Sequence, residues 1–197
     1  MQEWRTGSGE EALRHIGGTL IPEIDKQTDA LPPGRYHATQ AEVEAMFLTS
    51  QRRKELWQEW QDATALLNSA VDIATAWLGG SFFTSKEEPG DIDCVYWVDA
   101  AHLASLGQDD QTIVEAFAGG GSLAALGFRV DAYLVPWVSN PTPIPRGVDD
   151  RAYYQGRGYW DDLWAKMRSG AKISQPSRLD SYPRRGYVEV TIDGYGK

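Results

Sequence analysis

Residues 91–98, Asp-Ile-Asp-Cys-Val-Tyr-Trp-Val, place two like charges one residue apart at the head of an unbroken apolar run. The run predicts a buried strand from Ile92 to Val98. Side chains in a strand alternate faces, so Asp91, Asp93, Val95 and Trp97 share one face and Ile92, Cys94, Tyr96 and Val98 the other. The second set is wholly apolar or aromatic and is assigned to the core. The two carboxylates on the first face repel each other and lose hydration as they approach that core. Something in the fold has to offset them, and this requirement narrows what the rest of the chain can be.

A third acid deepens the problem. In Arg129-Val130-Asp131-Ala132-Tyr133-Leu134, the residues Val130, Ala132 and Leu134 form an apolar face and Asp131 points the other way. It is either a core acid satisfied by Arg129 or a backbone amide, or a member of a functional cluster. If the two strands are neighbours, three carboxylates gather on one face. Oxygen ligands at that density suit Mg²⁺ or Mn²⁺, and two such ions can bridge a nucleoside triphosphate for in-line displacement. Upstream, Gly79-Gly80-Ser81 follows a short apolar run. Glycines there admit a phosphate close to the backbone, with amides and the Ser81 hydroxyl as donors. Thr84 and Ser85 add hydroxyls, and Lys86 is either a phosphate contact or an exposed loop lysine. Acid-x-acid spacing alone is weak; the combination of strand, Gly-Ser, Asp-x-Asp and later apolar-flanked Asp carries the reading.

The remaining elements define a fold class. Thr39-x-x-Glu42 has capping-box spacing and opens a short helix to about Leu48. Thr49 or Ser50 caps a longer helix to about Ser69, with Leu56, Trp60 and Leu67 at helical spacing. Ile73 to Leu78, Phe128 to Val135 and Tyr187 to Ile192 read as strands. A helical stretch follows Asp99, in two pieces around Gly119-Gly120-Gly121, and Asp149 to Arg168 is helical in parts. Leu31-Pro32-Pro33-Gly34 is a turn or extended stop, and the four prolines from Pro136 to Pro145 make a loop or extended crossing. The order predicts an α+β (mixed α/β) domain. Residues 1–30 read as a partly flexible N-terminal segment, and 31–197 as one domain with a helical and strand C-terminal extension.

At 197 residues and 42% apolar, the chain suits a single core. No apolar run nears the ~18 residues of a membrane span, and Met1 to Gly9 has no signal-peptide core. The one cysteine, Cys94, sits in an apolar strand and reads as a small buried side chain. These points favour a reducing cytoplasm. A net charge of −9 argues against a uniformly basic nucleic-acid grip. Residues 1–145 hold 9 basic and 21 acidic side chains, whereas 146–190 hold 9 and 6. The basic excess near the C-terminus either faces an anionic ligand or belongs to a solvated mixed-charge surface.

Leu78-Gly79-Gly80-Ser81, Asp91-Ile92-Asp93 and Val130-Asp131-Ala132 together resemble the signature of the nucleotidyltransferase superfamily, the polymerase-beta-like fold. More narrowly, "LPPGRYHAT", "GGSFFTSKEEPGDID" and "GYVEV" resemble a branch of small bacterial nucleotidyltransferase-like proteins. The resemblance implies a minimal palm, a mixed sheet with helices packed on one face and the site on the other. It implies that Gly80 and Ser81 hold the triphosphate and that Asp91 and Asp93 hold metal. Asp131 would ligate a second metal and help activate the acceptor hydroxyl. Phe82-Phe83 follows Ser81 where many minimal members carry an arginine, so further triphosphate contacts fall to Lys86 or to the arginine-rich C-terminal part.

The leading expectation is transfer of a nucleoside monophosphate from an NTP to a hydroxyl acceptor on a protein, an RNA end or a small molecule. A regulatory module on the same scaffold, one half of a toxin–antitoxin or phage-defence pair with a cognate protein partner, is the alternative. A metal-dependent phosphodiesterase or nuclease is a third. Trp57, Trp60, Trp160 and Trp164 read as core; Trp97 and Tyr133, on the acid face, either pack or line a base pocket. Gln51-Arg-Arg-Lys54 opens a helix against its dipole and is either solvated or meets a partner. His15, His37 and His102 have no metal-like spacing.

Overall fold

The computed structural model describes residues 21–119, 122–142, 144–171 and 173–195. The elements in chain order are β1 (Gly34–Ala38), α1 (Gln40–Phe47), α2 (Gln51–Asn68), β2 (Ile73–Gly79), β3 (Ile92–Asp99), α3 (Ala100–Leu103), α4 (Gln108–Phe117), β4 (Val130–Trp137), α5 (Val148–Ala165) and β5 (Gly186–Thr191). Short 3-10 turns occupy Gly80–Phe83, Ser122–Leu126 and Arg178–Ser181. The α+β class expected from the sequence is the class observed. The proposed flexible stretch from Met1 to Gly18 lies outside the described residues. The packed body reaches back beyond Leu31, since Ile21 and Ala30 are buried in it. Among the described residues, no helix is long and apolar enough to cross a membrane.

The strands form one mixed sheet in the order β1-β5-β2-β3-β4. β2 is antiparallel to β3 and β5, while β3–β4 and β1–β5 are parallel pairs. This wiring brings the end of β2 and the starts of β3, β4 and β5 to one edge. The capping box at Thr39 is present in full, and Ser50 caps α2 by accepting from the Arg53 amide. Helices α1, α2 and α4 press Phe47, Leu56, Trp60 and Phe117 onto the Ala76, Cys94, Tyr96 and Val188 face of the sheet. The thiol of Cys94 is buried there, and burial pushes it up to about 12, so it stays protonated and inert. The Tyr96 hydroxyl meets the Thr64 hydroxyl at 2.7 Å, which satisfies both polar groups inside the core.

The second face is not open along its length. α5 lies across it, and its Trp164 packs with Trp77, Val95, Trp97, Val135 and Tyr187 of the sheet in a separate apolar layer. Helices on one face, as the sequence implied, therefore describes α1, α2 and α4; α5 is an addition on the other side. Trp97 is fully buried against Trp77 and Tyr153, which assigns it to packing and removes it as a base-stacking platform.

The loop joining β2 to β3 is held by the two arginines at the start of α2. Arg53 is 3% exposed and donates to four carbonyls: Phe47 O at 3.4 Å, Phe82 O at 2.7 Å, Thr84 O at 2.9 Å and Lys86 O at 2.6 Å. Arg52 donates to Pro89 O at 3.1 Å and Gly90 O at 3.0 Å. Of the basic start of α2, Lys54 is exposed, while Arg52 and Arg53 are turned to the loop. They satisfy carbonyls that a tight loop cannot pair with itself, and they fix the approach to Asp91. Removing the Arg53 donors strands several buried acceptors. Arg53→Met is expected to lose about 3 kcal/mol or more of unfolding free energy in a urea titration. A loss below about 1 kcal/mol would mean that water replaces the guanidinium.

Candidate active site

The acids meet where the strand ends converge. Parallel register sets Ile92 opposite Val130 and Asp93 opposite Asp131. Facing residues on neighbouring strands point to the same side, with β-carbons about 5 Å apart, so the two carboxylates stand side by side. Asp91 is exposed at the rim, one residue outside β3. Arg129 does not neutralise Asp131. Its guanidinium and its amide both engage Glu59 of α2, and Glu55 lies 3.6 Å away. Asp131 Oδ1 is buried and has no hydrogen-bond partner.

Asp93 carries the electrostatic consequence. Burial is the largest cause that pushes its carboxyl up, to about 6, and the negative charges of Asp91 and Asp131 push in the same direction. Arg185 opposes them. This half-buried arginine stands one residue ahead of β5, next to the end of β2, and donates through Nε to Trp164 O at 2.9 Å. Burial lowers its own pKa, and Asp93 raises it. The sequence located a basic excess near the C-terminus but could not single out Arg185.

The glycines beside the acids are required by internal neighbours. Gly80 has φ +71°, a left-handed conformation, and a Cβ there would collide with the Asp93 carboxylate. Gly79 pairs with Asp93 across β2–β3, and a Cβ on it would enter the Trp164 ring. The space a Cβ would take is filled from within, by Trp164 at Gly79 and by Asp93 at Gly80. Ser81 is half-buried in the turn, while Phe82 and Phe83 are buried against Phe47 and anchor the turn in the core.

The loop residues expected to contact phosphate have other work. The Thr84 hydroxyl donates to Ser81 O at 2.8 Å and accepts from the Lys86 amide at 3.2 Å. The Ser85 hydroxyl bonds Asp29, and Thr84 and Ser85 line a cleft with Arg53 and Phe47. Lys86 is exposed. The structure thus brings together Gly80, Ser81, Asp91, Asp93 and Asp131, and turns the side chains of Thr84 and Ser85 to loop contacts.

An open cavity of about 680 Å³ lies on the β4 side of the acids, lined by Asp91, Phe128, Arg129, Asp131 and Tyr133. That volume is in the range of small-molecule sites. Tyr133 packs against Trp160 of α5, the rings tilted by 47° with centroids 4.7 Å apart. Burial raises the Tyr133 hydroxyl above its ordinary range, and Asp131 and Asp93 add to this.

Residues 22–191 match a family of unknown function, DUF6932. The chain belongs to this family. The matched segment holds every acid, glycine and arginine of the site in this DUF6932 member. No curated protein and no solved structure matches the chain.

Mg²⁺ or Mn²⁺ is the ion whose chemistry suits these donors. The ligand set is all oxygen, one buried carboxylate oxygen lacks a partner, and the like charges need neutralising. Among the described residues, no group of three or more His, Cys, Asp or Glu side chains is placed so that it could hold a metal ion as it stands. Asp91 at the rim would complete the set formed by Asp93 and Asp131.

Because the folded-state pKa of Asp93 is raised, folding favours its protonated form. That stability is full below the ordinary carboxylate range and is lost as pH rises through about 6. Asp93→Asn is therefore expected to stabilise the metal-free chain at pH 8, by roughly 2–3 kcal/mol and several degrees in Tm. The advantage should vanish towards pH 4 in the same melts. An asparagine variant less stable than the parent at pH 8 would contradict this electrostatic picture.

Proposed function

We propose that the chain is a metal-dependent nucleotidyltransferase. It moves a nucleoside monophosphate from an NTP to a hydroxyl on a protein, an RNA end or a small molecule, and releases pyrophosphate. The observation that carries this reading is the in-register pair Asp93 and Asp131, with an unpartnered buried oxygen, beside the Gly80-Ser81 turn. Asp91, Asp93 and Asp131 would hold Mg²⁺ or Mn²⁺, which when bound neutralises the acids and polarises the phosphoryl group.

Strand order supports a division of labour. β3 lies between β2 and β4, so the acids stand between the Gly-Ser turn and the open cavity. The triphosphate belongs on the turn side. There the Ser81 hydroxyl is a neutral donor, and Arg185, whose charge acts on Asp93, supplies positive charge. Arg185 fills the role left open by Phe82 and Phe83, whose rings are in the core. The acceptor hydroxyl belongs on the cavity side, next to Asp131 and Tyr133. Its oxygen forms a bond to the α-phosphorus as the bond to the bridging oxygen breaks, and pyrophosphate leaves with that oxygen. The hydroxyl proton passes to Asp131 Oδ1, which has no competing donor. Alignment and charge neutralisation supply the rate.

A second reading, a module that binds rather than catalyses and serves a cognate protein partner, is favoured by one observation. The Trp164 ring occupies the space above Gly79 and narrows the approach to the turn.

Calorimetry with an NTP and Mg²⁺ tests the first reading. The double variant Asp91→Asn, Asp93→Asn should fold and lose metal-dependent triphosphate binding at least about 100-fold, equivalent to about 3 kcal/mol. Unchanged tight binding in that variant would rule the mechanism out. Incubation of the parent with labelled NTPs, Mg²⁺ and lysate separates the two readings. Label on protein, RNA or a small molecule supports transfer; binding without any label transfer supports the module.

A further inference from the structure

On the same face of the sheet as the acids, but towards β1, α5 leaves a second cleft of about 470 Å³ lined by Arg35, His37, Trp77, Tyr154, Arg157 and Asp161. Strand register decides which side chains meet there. Arg35 and His37 lie on β1 opposite Tyr187 and Glu189 of β5, and Glu189 lies opposite Trp77 of β2. Glu189 is 4% exposed, with Arg35 Nε 3.1 Å and His37 Nε2 3.3 Å from its Oε2. The Arg35 guanidinium also sits 5.1 Å from the centre of the Trp77 ring.

Arg157 is the unusual member. Its guanidinium lies over both Trp77, at 5.1 Å, and Trp97, at 5.3 Å. Among the described residues, no carboxylate comes within ion-pair distance of it. Its side-chain hydrogen bond to the Tyr153 hydroxyl is long, at 3.4 Å. Asp161, the nearest acid on the same helix, is engaged by the Tyr187 hydroxyl. One buried carboxylate, Glu189, thus faces two guanidiniums and an imidazole. The two indole faces offset part of the desolvation of Arg157, and the hydroxyls of Tyr153 and Tyr195 are its hydrogen-bond acceptors, so its five N–H donors are not all taken. A half-buried cation with spare donors at the wall of a cleft calls for an anion.

We propose that this cleft binds a phosphoryl group carried by a small molecule, without a metal ion. Arg157 and Arg35 supply charged donors, and the His37 imidazole adds a ring N–H at the rim. Donors from β1 and from α5 approach from two sides, which suits the tetrahedral oxygens of a phosphate better than a flat carboxylate. The site is separate from the acids: this cleft and the cavity beside Asp131 share no lining residue. It stands independently of the reaction proposed above.

The test is titration of inorganic phosphate, and in parallel glycerol phosphate, into the whole protein without divalent ions. Calorimetry and the fluorescence of the buried tryptophans are the readouts. Binding at or below about 1 mM is expected, with tighter binding of the ester if the carrier is organic and of the free ion if it is not. Arg35→Gln should weaken it about tenfold, the loss of one charge-assisted hydrogen bond. His37 is 64% exposed, so His37→Gln keeps the fold and should weaken binding several-fold. Asp93→Asn should bind as the parent does. No response up to about 10 mM phosphate would overturn the proposal. So would binding that survives both cleft variants, or binding abolished by Asp93→Asn, which would put the anion at the acids instead. Either result leaves the Mg²⁺-dependent nucleotide measurement standing on its own.

Discussion

Two like charges held in register on neighbouring strands are the constraint around which the sheet edge is organised. Parallel pairing of β3 and β4 sets Asp93 beside Asp131 with no freedom to separate, because a one-residue slip would turn the apolar face of either strand away from the core. The strands can be placed this way only because Cys94, Tyr96, Ala132 and Leu134 gain more by burial than the carboxylates lose. Their neighbours follow from that placement. Gly80 is glycine because Asp93 fills the space of a side chain, and Arg185 is drawn in because negative charge has accumulated there.

The loop and α5 are the supports. Arg52 and Arg53 turn the first turn of α2 into a clamp on six carbonyls, which fixes the path from the Gly-Ser turn to Asp91. On the other side, α5 seals the aromatic layer and lays Trp164 on Gly79. The acids are therefore flanked by rigid parts: a pinned loop, a packed helix and a two-sided sheet. Rigid support of this kind is what alignment of a reacting group needs. The same support denies the carboxylates any way to relax their repulsion by moving.

Much of this edge was legible before the fold was known. Alternation in residues 92–98 and 130–134 put Asp93 and Asp131 on the non-core side of their strands, and the wiring made those sides one face. Helices α1 and α2 announced themselves by Thr39, Ser50 and a 3.6-residue apolar period. What stayed hidden depends on distant partners. β1 is five residues long, an edge strand whose Arg35 and His37 reach Glu189, and its partner β5 is some 150 residues away. The helical region after Asp99 is interrupted twice: between Phe117 and the 3-10 turn at Ser122, where the sequence placed the break, and also between Leu103 and Gln108, which the sequence did not signal. The spacing of Trp160 and Trp164 marked a buried stripe, but not which face of the sheet it would cover. The carbonyls that Arg53 serves have no sequence signal, since they belong to the backbone of a loop.

The central claim is that Asp93 is held at an elevated pKa by burial beside Asp131 and Asp91, ready for a divalent cation. The most direct measurement is an NMR titration of the Asp93 carboxyl carbon in the parent and in Asp131→Asn, each with and without Mg²⁺. The account requires a midpoint near 6 in the metal-free parent. It should fall in Asp131→Asn and fall further in the parent when Mg²⁺ is added, towards or below the ordinary value of about 3.9. An ordinary midpoint in the metal-free parent, or one that neither the substitution nor the ion moves, would contradict it.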